Sequence, residues 1–271
     1  MAKPVYFYGT HAVHALLSHR PMDAMALFVQ QGRQTKANSA SIMQDETDTS
    51  FEEILQLAEQ MGVSVQQASR DRLTALCGSP QHQGVVLHAR PLAMADEGEL
   101  SALVQADQAL FLILDQVTDA HNLGACLRTA AAMGVDAVIC PKHHSASLTP
   151  TVAKVSVGAM EIMPVVAVTN LARCIEQLKQ AGVFVYGTAL EVDAKPINEI
   201  DLTGKVALIM GSEGEGMRRL TAERCDELVY IPMTGNKHGS LQSLNVSVAT
   251  GMVLYEVSRQ RHGDHYKATQ D

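Results

Sequence analysis

The stretch GNKHGSLQSLNVSVATG, residues 235–251, alternates apolar and polar residues as a strand does, yet it leads directly into the helical sequence MVLYEVSRQ. The first turns of that helix would contain four small polar residues: Ser243, Asn245, Ser247 and Thr250. A helix that buries one face does not need them there, whereas a ligand held by side chains and free amides at a helix start does. The loops around this segment are therefore the places to look for a binding site.

The composition is that of a globular protein with a hydrophobic core, since 46% of the 271 residues are hydrophobic. The formal net charge of −8 argues against a protein that coats nucleic acid, although residues 1–38 carry a local excess of positive charge. Trp is absent and aromatic residues make up only 4%, which disfavours a platform for base stacking. The five cysteines form no CxxC pair, and neither a membrane-length apolar run nor a signal-peptide core is present. We therefore expect a cytoplasmic protein with core thiols and no metal or membrane partner.

Helix and strand patterns divide the chain into two α/β units. Residues 1–90 alternate short strands and helices, and the following PLAMADEGEL gathers Pro, Gly and acidic residues in a way typical of a hinge. We expect a linker at 91–106, a second domain at 107–262 and a tail at 263–271. In the second domain the apolar strands ALFLILD, VDAVIC and KVALIMG alternate with helices, which indicates a parallel sheet covered on both faces. Ligands bind such sheets beyond the carboxyl ends of the strands.

The sequence VALIMGSEGEGM places Gly211, Gly214 and Gly216 between a buried strand and a helix. A loop that cradles phosphate is one interpretation, but Glu213 and Glu215 would repel phosphate and no Lys-Ser/Thr pair follows. The loop suits a ligand that is cationic or donates hydrogen bonds. A tight turn with solvated glutamates explains the loop equally well.

The sequence DAHNLGACLRTAAAMG has the pattern of a helix that starts at the end of a strand. Asn122 is a candidate N-cap, and Arg128 follows six residues later. Its neighbours on that side of the helix are small: Gly124, Ala131 and Ala132. An exposed arginine on an Ala-rich helix needs no function, but this position favours the binding of an anion such as an RNA phosphate.

Three segments of the second domain together resemble the motifs of the SpoU/TrmH family of RNA 2′-O-methyltransferases, in the SPOUT superfamily. The first motif corresponds to NLGACLR, the second to MGSEGEGM, and the third to IPM followed by SLNVSVATG. Their order and spacing match over about residues 109–260, which is far more specific than one glycine loop. The N-terminal half, with YGTHAVHALL and HQGVVLHA, resembles the ribosomal-protein-L30-like RNA-binding domain of bacterial 23S rRNA guanosine-2′-O-methyltransferases.

The resemblance implies a parallel-sheet methyltransferase domain whose C-terminal segment forms a deep trefoil knot, preceded by an L30-like substrate-binding domain at 1–90. It also implies S-adenosylmethionine as the cofactor, 23S rRNA as the partner and a homodimer formed through the knotted domain, without a metal ion. Six residues match the cofactor-binding positions of the family. Three should contact the cofactor and three should lie nearby: Gly211, Ile231 and Leu244, then Thr188, Met233 and Ser243.

The resemblance further implies roles for four catalytic residues. Arg128 would orient the substrate phosphate and hydroxyl, and it is a poor general base because a guanidinium stays protonated. Asn122 and Asn245 would position groups in the site. Glu213 would support the geometry of its loop or face the sulfonium of the cofactor, which carries no phosphate.

The predicted reaction is methyl transfer to the ribose 2′-hydroxyl of a guanosine in 23S rRNA. A tRNA substrate ranks second, because N-terminal RNA-binding domains of this type accompany rRNA substrates more often. The third motif holds four residues beyond the family spacing, KHGS at 237–240. We expect the fold to tolerate them, since doubling the length of a flexible loop costs only about 0.6 kcal/mol. Because they border the expected cofactor site, a third alternative stays open: an RNA-binding or assembly protein that retains the knot without activity.

Overall fold

The computed structural model describes four ranges of the chain: residues 5–32, 46–191, 193–233 and 243–263. The chain divides into two compact units, each made of two segments: Met1–Ala93 with Leu148–Ile162, and Met94–Ser147 with Met163–Asp271. The first unit thus takes in a segment that lies far along the chain. The domain boundaries expected near residues 90 and 107 stay a prediction.

Strands and helices alternate along the described ranges. The strands are β1 (Val5–Tyr8), β2 (Ala24–Gln30), β3 (Ser64–Ala68), β4 (Val85–Ala89), β5 (Ala95–Asp96), β6 (Leu110–Leu114), β7 (Ala137–Pro141), β8 (Val165–Val168), β9 (Phe184–Thr188), β10 (Lys195–Pro196), β11 (Val206–Met210) and β12 (Glu227–Tyr230). The α-helices are α1 (Thr10–His19), α2 (Glu46–Gln60), α3 (Arg70–Cys77), α4 (Leu100–Leu103), α5 (Ala120–Ala132), α6 (Pro150–Ser156), α7 (Ala159–Ile162), α8 (Leu171–Gln180), α9 (Arg219–Arg224) and α10 (Val246–His262). Sequence patterns miss β5 and β10, because two residues are too few to show a period.

The first unit is built on a four-stranded sheet in the order β1-β4-β2-β3. Strand β4 pairs antiparallel with β1 and β2, and β2 pairs parallel with β3. Helix α1 buries Val13, Leu16 and Leu17 completely, the three apolar positions that stand at helical spacing in the sequence. The helix contacts both α2 and the sheet, so these side chains belong to the core of the unit.

The second unit is built on an eight-stranded sheet in the order β10-β12-β9-β11-β6-β7-β8-β5, with parallel pairing throughout. Strands β6, β7 and β11 are buried at every residue, as their continuous apolar sequences predict. The predicted α/β class with a parallel sheet is confirmed. The KHGS insertion at 237–240 lies outside the described residues, within 234–242, so its effect and the predicted knot stay predictions.

In the described ranges, no helix has the length and apolar character needed to span a membrane.

The predicted role of Asn122 as an N-cap is wrong. Helix α5 begins at Ala120, and Asp119 caps it: its Oδ1 accepts the N–H of Asn122 at 2.8 Å. Aspartate caps as well as asparagine does, and its negative charge also favours a helix N-terminus. Asn170 caps α8 as the sequence predicts, accepting the N–H of Arg173 at 3.1 Å. The side chain of Asn122 is therefore left for another contact.

Arg20 joins α7 to the rest of the first unit through a buried ion pair. Its Nε and Nη2 donate to the two oxygens of Glu161 at 2.6 and 3.2 Å. Its Nη1 donates to Asp23 and to the Arg90 carbonyl, and the guanidinium lies 5.2 Å from the centre of the Phe7 ring. Only 12% of the Arg20 side chain and 1% of the Glu161 side chain are exposed. Arg20, one of the cations of the basic stretch 1–38, therefore stabilises the first unit from within.

Arg20→Met should lower the free energy of unfolding of the first unit by about 3 to 5 kcal/mol, because Glu161 is left buried without its cation. Arg90→Met is the matched control. Its side chain is 62% exposed and lies 3.8 Å from Asp23, and surface pairs of this kind contribute at most about 1 kcal/mol. Urea unfolding followed by circular dichroism measures both variants. Equal losses in the two would contradict a special role for the buried pair.

Candidate active site

The carboxyl ends of β12, β9 and β11 lie side by side in the second unit, so the loops that leave them meet at one edge of the sheet. These loops and the start of α10 surround a cavity of about 410 Å³. That volume is within the usual range for a small-molecule site. The walls come from four segments, 188–191, 210–217, 229–233 and 243–249, and from Ala222 of α9. The glycine sequence GSEGEG and the IPM sequence of the third family motif both contribute.

All six residues that match the cofactor-binding positions of the family line this cavity: Thr188, Gly211, Ile231, Met233, Ser243 and Leu244. Met210 and Val229 add further apolar surface to the same walls. The hydroxyl of Thr188 donates to the carbonyl of Ile209 at 2.8 Å, which ties the end of β9 to β11. The cavity thus combines apolar walls with a glycine, Gly211, whose backbone a ligand can approach closely.

The charge on the cavity wall is negative. Three glutamates, and no lysine or arginine, stand among the described residues that line it: Glu191, Glu213 and Glu215. Such a wall repels phosphate and favours a ligand that is cationic or donates hydrogen bonds. S-adenosylmethionine carries a sulfonium, an amino group and no phosphate, so the residues present fit it. The interpretation of GSEGEG as a phosphate loop is correspondingly disfavoured.

The glycine loop, residues 211–217, is closed by its own backbone. The N–H of Ser212 donates to the Gly216 carbonyl at 3.0 Å, and the N–H of Gly216 donates back at 3.1 Å. Gly216 has a φ of 69°, in the left-handed region that glycine adopts without strain. A Cβ at Gly211 would overlap the Gly216 backbone, so no side chain fits there. This geometry places Glu213 at the tip of the loop.

Glu213 connects the three sequence motifs. Its Oε1 accepts hydrogen bonds from Asn122 Nδ2 at 3.4 Å, from the Val246 N–H at 3.2 Å and from Asn245 Nδ2. Asn245 Nδ2 also donates to Asn122 Oδ1 at 3.0 Å. A carboxylate at the first amides of α10 is further favoured by the helix dipole. The structure therefore brings together three of the four predicted catalytic residues.

The small polar residues at the start of α10 have different roles. Asn245 caps the helix, because its Oδ1 accepts the N–H of Ser247 at 3.0 Å and the hydroxyl of Ser247 at 2.6 Å. Thr250 is buried, donates to a carbonyl one turn earlier at 2.8 Å, and lies 3.5 Å from the Cys126 sulfur of α5. Among the four, Ser243 lines the cavity. Asn245 and Ser247 form the start of the helix, and Thr250 packs it against α5.

Arg128 does not contact this cluster. It lies six residues after Asn122 on α5, and at 100° per residue the two side chains leave different sides of the helix. Its side chain is exposed and forms no hydrogen bond or ion pair with another described residue. An exposed guanidinium without an internal partner is available to bind an external anion.

The sequence interpretation missed several residues around the cavity. Glu191 and Tyr230 line it, and their only signal was a position at or near the end of a strand, whereas Met210 opens the second family motif but was not assigned to the site. Asp115, the last residue of ALFLILD, is completely buried and paired with Arg218. An acidic residue at the end of an apolar strand was a signal for Asp115 itself, but no local pattern identifies Arg218 as its partner.

No cysteine stands among the described residues that line the cavity. The prediction of core thiols is confirmed for three cysteines, Cys126, Cys140 and Cys174. Burial raises the pKa of the Cys126 thiol to about 11 and that of Cys140 to about 12, so neither is a nucleophile at neutral pH. Within the described ranges, no group of His, Cys, Asp or Glu side chains could hold a metal ion.

Two protein families match the chain, one in each half. The SpoU rRNA methylase family matches residues 109–255. The family described as RNA 2′-O ribose methyltransferase substrate binding matches residues 6–95.

Two relatives cover nearly the whole chain. A protein of Acinetobacter baylyi named 23S rRNA (guanosine-2′-O-)-methyltransferase RlmB is 51% identical over 265 residues, which are 97% of this chain and 100% of the relative. The protein of the same name from Escherichia coli K12 is 45% identical over 255 residues, which are 94% of this chain and 98% of the relative.

A solved structure shares the fold. The SpoU methyltransferase AviRb from Streptomyces viridochromogenes, in complex with the cofactor AdoMet, superposes with a TM-score of 0.72. The match covers 96% of this chain and 91% of that one at 24% identity.

Glu213→Ala should weaken the binding of S-adenosylmethionine about tenfold, because Asn245 and the first amide of α10 lose their shared acceptor. Glu215→Ala is the matched control. It removes a carboxylate of the same loop that accepts no hydrogen bond from a described residue. Its effect should stay below about twofold, since salt screens an exposed charge. Titration calorimetry measures both variants. Equal losses would mean that the charge of the wall, not the position of α10, sets the affinity.

Proposed function

Because the chain belongs to the SpoU rRNA methylase family, we propose that it transfers a methyl group from S-adenosylmethionine to the ribose 2′-hydroxyl of a guanosine in 23S rRNA. The observation that carries the proposal is the meeting of Asn122, Glu213 and Asn245 beside the acidic cavity. The relatives at 51% and 45% identity, each aligned over nearly the whole chain, are named for this reaction.

The cavity is assigned to the cofactor. S-adenosylmethionine, when bound, supplies an electrophilic methyl group on a sulfonium. Ile231 and Leu244 offer it apolar surface, and Gly211 lets backbone approach it. Glu213 holds the start of α10 in place and adds negative charge to the wall. The same wall discriminates against free nucleotides, whose phosphates it repels.

Arg128 is assigned to the substrate. Its guanidinium is exposed, and its planar fork matches the oxygens of an RNA phosphate next to the reacting ribose. A guanidinium stays protonated at neutral pH, so Arg128 orients the hydroxyl and does not accept its proton. We assign the role of proton acceptor to a phosphate oxygen of the bound RNA, because it can take the proton of the 2′-hydroxyl more easily than a guanidinium can. This division keeps the polyanionic substrate outside the acidic cavity.

The first unit is assigned to RNA recognition. The family that matches residues 6–95 is described as the substrate-binding part of RNA 2′-O ribose methyltransferases. Phosphate contacts displace counterions, so binding of RNA by the whole protein weakens steeply as salt rises. We also assign the enzyme to the cytoplasm, because the proposed substrate is ribosomal RNA.

A homodimer formed through the second unit is supported by an apolar stripe on α10. Val248, Met252 and Tyr255 are 52%, 45% and 62% exposed and follow one another at helical spacing. The other side of the helix buries Val253 and Val257 against the unit. An apolar stripe that a single chain leaves in water marks an interaction surface. We assign it to a second copy of the chain, as the family resemblance implies.

Arg128→Ala should reduce methyl transfer about 100-fold, the order of loss expected when a reacting group is no longer held in place. Its affinity for S-adenosylmethionine should change little, because its partner is RNA. The assay is transfer of a labelled methyl group to 23S rRNA fragments, with the modified nucleotide mapped and cofactor binding followed by calorimetry. Arg219→Ala, which removes a 92% exposed arginine of the same unit, is the control.

Full turnover by Arg128→Ala, or loss of its cofactor binding, would contradict this role. Methyl transfer to tRNA but not to 23S rRNA would show that tRNA, and not 23S rRNA, is the substrate. A wild-type chain that binds RNA but not S-adenosylmethionine would favour the RNA-binding protein without activity.

Tyr255→Glu should shift the protein from dimer to monomer, because it places a charge in the centre of the proposed apolar interface. Sedimentation velocity measures the change. Leu220→Glu is the control, since Leu220 is 52% exposed on α9, a different helix of the same unit. Dissociation by both variants, or by neither, would refute α10 as the interface.

A further inference from the structure

The second unit contains a fully buried carboxylate that the proposed chemistry does not use. Asp115 directly follows β6, and none of its side chain is exposed. A buried charge is costly unless it is paired and hydrogen-bonded. Arg218 provides both: its Nε and Nη2 donate to Oδ1 at 2.8 and 2.7 Å, and its backbone N–H donates to Oδ2 at 3.1 Å.

Asp115 holds the glycine loop at both ends. Met210 immediately precedes the loop, and its carbonyl accepts the N–H of Asp115 at 2.8 Å. Arg218 immediately follows the loop and is the N-cap of α9. Asp115 therefore binds the start of the loop with its backbone and the end of the loop with its side chain.

Stability alone does not call for a charged pair at this place. Apolar residues of similar volume often replace a buried ion pair without loss of stability. What this arrangement adds is direction, because the guanidinium binds one carboxylate oxygen and the backbone N–H of the same arginine binds the other, which fixes the orientation of both groups. The ion pair orients the glycine loop, and this loop carries Glu213, which binds the start of α10 and the side chain of Asn245.

We infer that Asp115 and Arg218 are positioning residues for cofactor binding. They set the place of the glycine loop on the cavity wall and, through Glu213, the place of the α10 N-terminus. The inference rests on the proposed function in one respect, that the cavity binds S-adenosylmethionine. The geometry of the loop itself is tested without cofactor.

Arg218→Met and Arg20→Met form a matched pair of variants. Each removes the cation from a buried carboxylate, one beside the cavity and one in the first unit. Both should lower the melting temperature. Well below that temperature, only Arg218→Met should weaken the binding of S-adenosylmethionine, by about tenfold or more. Arg218→Lys keeps the charge without the fork and should fall between Arg218→Met and the wild type.

Hydrogen exchange of the cofactor-free protein gives the second measurement. The N–H groups of Ser212 and Gly216 each donate to the carbonyl of the other residue, so the exchange rates of these two amides report whether the glycine loop is closed. Their exchange should be faster in Arg218→Met and unchanged in Arg20→Met. If Arg218→Met does not fold, Arg218→Lys and Asp115→Asn carry the same comparison.

The outcomes separate this inference from the proposed function. A wild-type chain that does not bind S-adenosylmethionine, together with faster loop exchange in Arg218→Met, would overturn the function and leave the positioning of the loop supported. A lower melting temperature in Arg218→Met with unchanged exchange and unchanged cofactor affinity would show a merely structural pair and overturn the inference.

Discussion

The position of β11 between β9 and β6 is the constraint on which the site depends. Parallel pairing of β11 with both neighbours brings three carboxyl ends to one edge of the sheet. Each strand then contributes a different component: β6 leads to α5 with Asn122, β11 leads to the glycine loop with Glu213, and β9 leads to a wall of the cavity. Local preferences of these segments do not make them meet. The register of the sheet does, and it places Asp115 beside the residue where the glycine loop begins.

Charge is separated in space at this edge. Glu213 on the cavity wall accepts hydrogen bonds from amide donors and a helix N-terminus rather than from a cation, so the wall stays acidic. Arg128 lies outside that wall, exposed on another side of α5. In the proposed reaction, a cationic cofactor and a polyanionic substrate therefore meet opposite local charges on one small unit. This arrangement explains how a chain with a net charge of −8 can act on RNA.

The segment Leu148–Ile162 packs in a different unit from the residues that flank it in the sequence. In sequence it lies between β7 and β8 of the parallel sheet, and the SpoU rRNA methylase match includes it. In space it belongs to the first unit, where Arg20 holds Glu161 in a nearly water-free environment. A boundary drawn from composition cannot detect this, because the contact joins residues 141 positions apart.

The sequence by itself determined the fold class and most strands and helices, because apolar periodicity and helix breakers act over a few residues. Family motifs in the sequence also indicated the residues on the cavity wall. The tertiary structure alone decided which hydrogen-bond partners those residues have. Glu213 meets Asn122 across 91 residues and Arg218 meets Asp115 across 103, so neither pair leaves a local signal. The N-cap of α5 also had no decisive local signal, because Asp119 and Asn122 cap helices equally well and stand close together in the sequence. Only the folded structure shows that the first turn begins after Asp119.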